Sequence, residues 1–358
     1  MDLLRTFPGA FIIGTGRCGS TLLSDILRDH PDVLDVSEFL SSLNAQAFYP
    51  KRFDGPTFWR RLSRPRPGWR AAIPPEVSEF AYPLGPDAAY TNETLPPVLR
   101  VTLARMNADC DALYAALEPV IKARPVEPAA EHYRFVFDFL CHELGKRMWV
   151  ERSGASALML PAILAGFPGT KIVHLVRDGR ETALSMADHP GFRLLMSYRL
   201  LLAKTGIKAL EIGNVFGNSP RILVLYQLLE RLMNQERGAA RSHPVASYGA
   251  MWNTTLMRAL DRIGETPHQR RLTLSYEGLV ARPLPTIRHL ADFLEVEAQD
   301  TWLRTAAAQP SPRPQRFLAR SMADREALQR TCWRALERLG YPPMDGDVGR
   351  AEPTRLPA

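Results

Sequence analysis

The spacing of apolar residues along this chain changes repeatedly between two patterns, which indicates short buried strands followed by helices. Residues 10–13 form a continuous apolar run that ends in a glycine-rich turn. In residues 20–28 the apolar positions recur at helical spacing, and a His-Pro-Asp sequence then stops the helix. A second short strand is expected at 33–36. The N-terminal region is therefore predicted to form a strand, a tight turn, a helix and a strand.

The same succession of elements resumes after residue 147. Apolar runs predict strands at 148–150, 171–176 and 271–275, and helical spacing predicts helices near 156–166, 179–187, 283–294 and 321–339. Residues 193–263 are mainly helical in spacing, although the short apolar run at 221–226 is also compatible with a strand. Strands that alternate with helices favour an α/β fold with a central, mostly parallel sheet.

Residues 39–147 interrupt this order. Ten prolines lie between positions 50 and 97, and helical stretches follow near 99–122 and 130–146. We interpret this region as a largely helical insertion, or cap, within a single domain of 358 residues. The core of the domain would then comprise residues 8–38 and 148–340.

The composition of the chain limits which binding partners and which cellular compartment are expected. The net charge of +7 comes mainly from scattered arginines, and no basic run indicates a nucleic-acid partner. The four cysteines are far apart and no histidine lies at metal-ligand spacing, so we expect reduced thiols and no metal. No apolar stretch is long enough for a signal peptide or a transmembrane segment, which favours a cytoplasmic protein.

The glycine-rich turn from Gly14 to Thr21 has the geometry of an anion site. A strand that turns directly into a helix points several backbone N–H groups and the positive end of the helix at one place. The spacing resembles a P-loop, but Ser20 stands where a nucleoside triphosphatase has its phosphate-binding lysine. Arg17 provides a cation instead, and the hydroxyls of Ser20 and Thr21 can donate to phosphate oxygens.

A second anion site is predicted at the end of the strand at 171–176. Arg177 follows this strand directly, at the edge of the sheet where ligands of open α/β folds bind. Ser185 follows eight residues later on the next helix. A P-loop triphosphatase would have an acid for Mg²⁺ after such a strand. Two separate anion sites imply a nucleotide that is phosphorylated at two positions.

Together these residues resemble the sulfotransferases that use 3'-phosphoadenosine-5'-phosphosulfate (PAPS), and in particular their tyrosylprotein and Golgi-type branch. The segments that carry the resemblance are Arg17-Cys-Gly-Ser-Thr-Leu22, His30-Pro-Asp-Val33, Glu38, Arg177-Asp-Gly-Arg180 with Ser185, and Tyr276-Glu-Gly-Leu-Val280 through Phe293 and Leu294. The resemblance covers residues 8–38 and 148–300 and does not extend to the insertion. It implies a P-loop-like fold of three layers.

The resemblance also implies roles for individual residues. Arg17, Cys18, Gly19, Ser20 and Thr21 would bind the 5' side of PAPS, Arg177 and Ser185 would bind its 3' phosphate, and Tyr276 would lie near the nucleotide. Three positions depart from the family pattern, because Cys18 replaces a serine, Arg152 stands where a lysine is common, and His189 occupies a position that is basic in the tyrosylprotein branch. The role of Arg152 stays open, and the substrate of that branch cannot be assumed.

Sulfuryl transfer needs a base for the acceptor and a group that stabilises the leaving bisphosphate. Glu38 follows Arg17 by 21 residues, the spacing of the base in the tyrosylprotein branch, although it is also compatible with an exposed or helix-capping acid. Arg17 would stabilise the bridging oxygen, which makes it catalytic as well as donor-binding. Because cytosolic sulfotransferases use a histidine, His132 and His142 are the alternative bases.

Several other residues have two interpretations. His174 is expected to be a hydrogen-bonded core residue, and Cys18 either packs beneath the loop or is a reactive thiol next to Arg17. An acceptor pocket or an ordinary core would explain the aromatic residues Phe48, Tyr49, Phe53, Phe58, Trp59 and Trp69.

The sequence leaves the acceptor and the oligomeric state open. A small molecule, a lipid or a glycan is compatible with it as acceptor. Two rival functions are a P-loop kinase with an altered lysine position and a nucleotide-binding module without catalysis.

Overall fold

The computed structural model describes residues 6–204 and 234–344, together with positions 228, 232, 352–354 and 356. The strands are β1 (Gly9–Ile13), β2 (Val33–Ser37), β3 (Arg52–Phe53), β4 (Glu127–Pro128), β5 (Met148–Arg152), β6 (Lys171–Val176) and β7 (Arg271–Ser275). Five of them form one sheet in the order β2-β5-β1-β6-β7, and every neighbouring pair in this sheet is parallel. The short strands β3 and β4 pair antiparallel to each other.

Helices connect the strands on both sides of the sheet. In the first half of the chain they are α1 (Ser20–Arg28), α2 (Phe39–Leu43), α3 (Gly55–Ser63), α4 (Pro67–Ala72), α5 (Ala104–Met106), α6 (Cys110–Lys122), α7 (Ala129–Glu143) and α8 (Leu160–Gly166). The second half adds α9 (Gly179–Asp188), α10 (Pro190–Lys204), α11 (Gln235–Ala240), α12 (Val245–Gly264), α13 (Tyr276–Ala281), α14 (Pro283–Leu294), α15 (Asp300–Ala308) and α16 (Met322–Leu339).

The sheet lies between two helical layers. Alternate residues of each strand point to opposite faces, so Ala10 and Ile12 of β1 pack with α1, α14 and α15, whereas Phe11 and Ile13 pack on the other side. Because both faces are covered, the strands appear in the sequence as nearly continuous apolar runs. The α/β prediction with a central parallel sheet is confirmed.

The insertion at 39–147 forms part of one of these layers. Its α7 packs on β5, and the aromatic residues of α3 and α7 share one core with Phe11 and Trp149 of the sheet. The helical stretch predicted at 99–122 is divided, because a π-helical turn and α5 end before residues 107–109. There the side chain of Asp109 accepts from the Ala112 N–H at 3.1 Å and begins α6.

Most of the remaining predictions agree with the described elements. The predicted strands at 33–36, 171–176 and 271–275 correspond to β2, β6 and β7, and the mainly helical prediction for 193–263 is confirmed where the structure describes it. The ambiguous run at 221–226 lies outside the described residues. Among the described residues, no helix is both long and apolar enough to cross a membrane.

Candidate active site

The turn between β1 and α1 has a backbone that few side chains tolerate. Gly16, Arg17 and Gly19 all have positive φ angles, of 80°, 56° and 94°. A methyl group at Gly19 would approach the Cδ2 atom of Tyr276 to 2.4 Å, so both its φ angle and its packing require glycine. The turn therefore ends against the ring of Tyr276, and α1 starts directly after it.

A cavity of about 830 Å³ opens at the carboxyl ends of β1 and β6. Residues that the sequence singled out line it, among them Arg17, Gly19, Ser20, Thr21, Glu38, Arg152, Arg177, Ser185, His189 and Tyr276. These residues come from five separate regions of the chain. The volume of the cavity is in the upper part of the range for small-molecule sites, about 300–1,000 Å³.

Arg177 lies where the sequence predicted it, directly after β6. Its guanidinium carbon is 4.4 Å from the centroid of the Tyr276 ring, and Nη1 donates to the main-chain oxygen of Arg17 at 3.4 Å. Its Nε atom is buried and has no hydrogen-bond acceptor among the described residues. A buried donor of this kind calls for an anion or a polar ligand.

A buried network holds the turn that carries Arg177. The carboxylate of Asp178 accepts from the Arg180 main-chain N–H at 2.9 Å and from the Arg180 side chain at 3.0 and 2.6 Å. Glu277 accepts from the Asp178 N–H at 2.9 Å and from the hydroxyl of Tyr341 at 2.9 Å. Burial raises the pKa of Glu277 to about 7. The Arg-Asp-Gly-Arg motif thus has a structural function beside its contribution to the cavity.

The Arg17 guanidinium is held by two partners from different elements. Its Nε donates to Ser185 Oγ on α9 at 3.2 Å, and its Nη1 forms an ion pair with the carboxylate of Glu79 in the insertion. The predicted 5' and 3' residues Arg17 and Ser185 are therefore in direct contact. His189 also faces Glu79, with its Nε2 atom 3.7 Å from Oε2.

Glu38 lies at the start of α2 with a positive φ angle of 58°. Its carboxylate forms an ion pair with Arg152 and accepts from the Gly154 N–H at 2.9 Å. Glu38 occupies the N-cap position of α2, but its side chain forms no capping bond and is only 6% exposed, so the interpretation as an exposed acid is wrong. Arg152, whose role the sequence left open, is the partner of Glu38. A strained backbone and a buried charge pair at one residue are typical of functional sites.

Cys18 differs from its neighbours in the loop. Its side chain is fully buried in the core beneath the turn and does not line the cavity, and burial raises the pKa of the thiol. The packing interpretation is therefore confirmed, whereas the reactive-thiol alternative is wrong. Any contact between Cys18 and a donor would involve its main chain alone.

The alternative histidine bases lie away from the cavity. His132 is buried against Phe53, and its Nε2 atom is 2.7 Å from the Phe53 carbonyl oxygen, while His142 is exposed beside Glu143. Neither residue lines the cavity. His174 is a core residue as expected, but both of its ring nitrogens lack partners among the described residues, and burial lowers its pKa to about 3. The expectation that it is hydrogen-bonded is wrong.

Of the six candidate aromatic residues, Trp69 lines the cavity. Its indole N–H donates to the Pro97 carbonyl at 3.2 Å, which fixes the ring of this α4 residue. Phe48, Phe53, Phe58 and Trp59 belong to the core shared by the insertion and the sheet. Trp69 also packs in a small core cluster with Ile73 and Val101, so the core interpretation applies to these five residues, and an acceptor pocket stays a prediction for Trp69.

Some residues of the cavity were not found by sequence reasoning. Glu79 is an isolated acid in a proline-rich stretch, and no pattern marks it. Arg105 lines the cavity and pairs with Asp25 of α1. A proline-rich segment between the predicted helices at 283–294 and 321–339 contributes Arg313 and Arg316. Its arginines could have been recognised as anion ligands, because Arg is common at such sites.

No group of three or more His, Cys, Asp and Glu side chains in the described parts of the chain is arranged to hold a metal ion. Several charged residues of the cavity are instead paired across elements, as Arg17 with Glu79 and Arg152 with Glu38. Arginine and carboxylate side chains of this kind can bind anions and transfer protons.

Comparisons with known proteins place the chain in a family. A sequence model described as the sulfotransferase family matches residues 8–200, which is more than half of the chain. A search of curated proteins found no match.

Several solved structures also match over most of the chain. The sulfotransferase domain from the curacin biosynthetic pathway is 18% identical, with 95% of this chain and 100% of that chain covered and a TM-score of 0.48. Sulfotransferase STF9 from Mycobacterium avium is 13% identical, with 96% and 80% covered and a TM-score of 0.45. Mouse sulfotransferase SULT7A1, complexed with PAP, is 10% identical, with 96% and 87% covered and a TM-score of 0.33. On the strength of the sequence match to residues 8–200, this chain belongs to the sulfotransferase family.

Proposed function

We propose that this protein transfers the sulfuryl group of PAPS to a hydroxyl or amine of an acceptor. The observation that carries the proposal is the position of two anion-binding groups, the turn around Arg17 and the pair Arg177 and Ser185, in one cavity. They follow the adjacent parallel strands β1 and β6, whose carboxyl ends meet at the same edge of the sheet. A donor with phosphate groups at both its 5' and 3' ends matches this arrangement.

The charge of the cavity supports an anionic donor. Six arginines line it, Arg17, Arg105, Arg152, Arg177, Arg313 and Arg316, against the four acids Asp25, Glu38, Glu79 and Glu181. In the proposed complex, Ser20, Thr21 and the N–H groups of the turn bind the 5' side. Arg177 and Ser185 bind the 3' phosphate, and Tyr276 contacts the nucleotide. Arginine forks suit phosphate oxygens because they donate two parallel hydrogen bonds.

The proposed reaction is an in-line displacement at sulfur. The acceptor oxygen or nitrogen forms a bond to sulfur while the bond from sulfur to the bridging phosphate oxygen breaks, and the bisphosphate PAP leaves with that electron pair. Glu38 takes the acceptor proton, and Arg17 stabilises the charge that develops on the bridging oxygen. The two bonds that Glu38 accepts leave other lone pairs of its carboxylate for this proton.

The kinase alternative has less support. Ser20 occupies the place of the lysine that binds the β- and γ-phosphates, and Arg177 follows β6 where a triphosphatase has an acid for Mg²⁺. A binding module without catalysis would not need a buried carboxylate and its cation, Glu38 and Arg152, in the wall of the cavity. We therefore favour the sulfotransferase reaction over both alternatives.

A cytoplasmic location is part of this proposal. All four cysteines are buried and unpaired, which suits a reducing compartment. Fractionation of the native cells followed by immunoblotting would test it, and recovery from a membrane or secreted fraction would contradict it.

The proposed function is tested with PAPS labelled with ³⁵S and a panel of phenols, lipid alcohols, glycans and small amines. We expect transfer of label to at least one acceptor class, without added metal and with PAP as an inhibitor. Turnover of ATP with Mg²⁺, combined with no thermal stabilisation by PAP, would instead favour the kinase. Binding of PAP without transfer to any acceptor or to water would favour the binding module.

A further inference from the structure

Glu79 stands out among the residues of the cavity because the insertion supplies it. It lies in the proline-rich stretch after α4, and its side chain is 7% exposed. The stretch is anchored just beyond it, where the Ala81 N–H donates to the Arg100 carbonyl at 3.0 Å. A nearly buried carboxylate in the wall of a site for an anionic donor is unexpected, since it repels that donor.

The contacts of Glu79 keep it ionised. Oε1 accepts from Arg17, Oε2 accepts from the Ser78 hydroxyl at 3.1 Å, and His189 Nε2 lies 3.7 Å from Oε2. Burial alone would raise the pKa of Glu79, but the interactions with His189 and Arg17 outweigh it and hold the pKa well below its usual value. The Gly191 N–H donates to His189 Nδ1 at 3.1 Å, so the neutral ring has its proton on Nε2, facing Glu79.

Glu79 and Ser185 hold Arg17 from two sides. Ser185 accepts from Nε and Glu79 accepts from Nη1, and no described residue accepts from Nη2. A guanidinium fixed at two of its nitrogens has one orientation, and its remaining N–H groups are free for an anion. Arg17 also has a positive φ angle, so its main chain and its side chain are both constrained.

We propose that Glu79 is a positioning residue for sulfuryl transfer, which orients the Arg17 guanidinium toward the leaving group while its own charge weakens donor binding. This inference rests on the proposed function. It predicts effects of opposite sign on binding and on rate, because the electrostatic repulsion acts on the bound donor and the orientation acts on the transition state. A residue that only stabilised the fold would impair both.

The test is the isosteric substitution Glu79→Gln, compared with wild type by calorimetry with PAP and by the rate of ³⁵S transfer. The transfer is measured to the acceptor found in the panel or, failing that, to water. We expect PAP to bind about three- to tenfold tighter, the effect of removing one nearby charge from a partly solvated site. Transfer should fall about 10- to 100-fold, since Arg17 loses its orientation. Glu76→Gln, three residues earlier and exposed, is the matched control and should change neither quantity.

A second variant separates charge from position. Glu79→Asp keeps the negative charge but withdraws it from Arg17 by one methylene, so transfer should still fall while PAP affinity rises less than in Glu79→Gln. Thermal unfolding of each variant checks that it is folded. Weaker PAP binding together with slower transfer in both folded variants would overturn the inference in favour of a purely structural role. Unchanged binding and rate would overturn it as well.

Failure of the proposed function has a different signature. Wild-type protein that neither binds PAP nor transfers label refutes the sulfotransferase proposal and this inference together. Wild-type protein that does both, with variants that lack the opposite changes, refutes this inference alone.

Discussion

The two walls of the cavity hold their charged side chains in different ways. On the wall built by the sheet, Arg177 and Glu38 follow β6 and β2 directly. The Gly154 N–H donates to Glu38, and next to Arg177 the Asp178 N–H donates to Glu277, which holds the turn. On the wall built by the insertion, the proline-rich stretch and short helices carry the cavity residues, as for Glu79 and Trp69.

The difference between the two walls suits two separate tasks, donor binding and acceptor binding. The ends of parallel strands converge by the geometry of the sheet, so the donor can be bound by residues whose positions the fold dictates. The insertion can change its loops without disturbing the sheet, and it is therefore suited to set the acceptor. In the proposed reaction, the sheet wall provides donor binding and proton transfer, and the insertion wall provides the acceptor contacts together with Glu79, which orients Arg17.

The largest expected effect lies on the sheet wall. Glu38→Gln should lower the rate of sulfuryl transfer about 10²- to 10⁴-fold, the usual contribution of a general base. PAP affinity should not fall, because in the proposed complex Glu38 contacts the acceptor rather than the donor, and its charge, like that of Glu79, repels the donor. The rate is measured with ³⁵S-labelled PAPS and PAP affinity by calorimetry. Undiminished transfer would remove Glu38 as the base.

A substitution at the donor end of the cavity should instead change the affinity for PAP. Arg177→Ala is expected to weaken PAP binding by about 1.5–3 kcal/mol, the range for hydrogen bonds to charged groups. Arg147→Ala is the control, because Arg147 is exposed and lies outside this cavity. Calorimetric titration with PAP measures both variants. An unaltered affinity of the Arg177 variant would exclude it from the 3' phosphate site.

The smallest effect is expected at Trp69 of the insertion wall. Trp69→Phe keeps an aromatic ring but reduces its apolar surface and removes its hydrogen bond to Pro97. The KM for the acceptor should rise about three- to tenfold, as for a small loss of pocket contact. PAP affinity should not change. A loss of PAP affinity comparable to that of Arg177→Ala would break the division between the two walls.

The sequence predicted the sheet wall well for a physical reason. Strand, turn and helix follow one another locally, so the position of Arg17 and of Arg177 at strand ends could be read from neighbouring residues. Glu38 was identified by its spacing of 21 residues from Arg17, as in the tyrosylprotein branch, but its pairing with Arg152 was not predicted. That pairing joins β5 with the residue after β2, and a contact across strands leaves no local pattern.

The insertion wall was much less predictable. Proline spacing identified irregular structure but gave no sign of which side chains would face inward. Glu79 reaches Arg17 through tertiary packing alone, and Trp69 could not be separated from aromatic residues that fill the core. His174 was expected to find a partner, but its strand position leaves both of its nitrogens without one among the described residues.

The most direct test of a donor site with two anchored ends is a calorimetric comparison of PAP with 5'-AMP, which lacks the 3' phosphate. We expect PAP to bind at least about tenfold tighter than 5'-AMP, since the 3' phosphate adds charge-assisted hydrogen bonds. Arg177→Ala should abolish most of this preference while leaving 5'-AMP binding nearly unchanged. Equal affinities of wild-type protein for the two nucleotides would contradict the account.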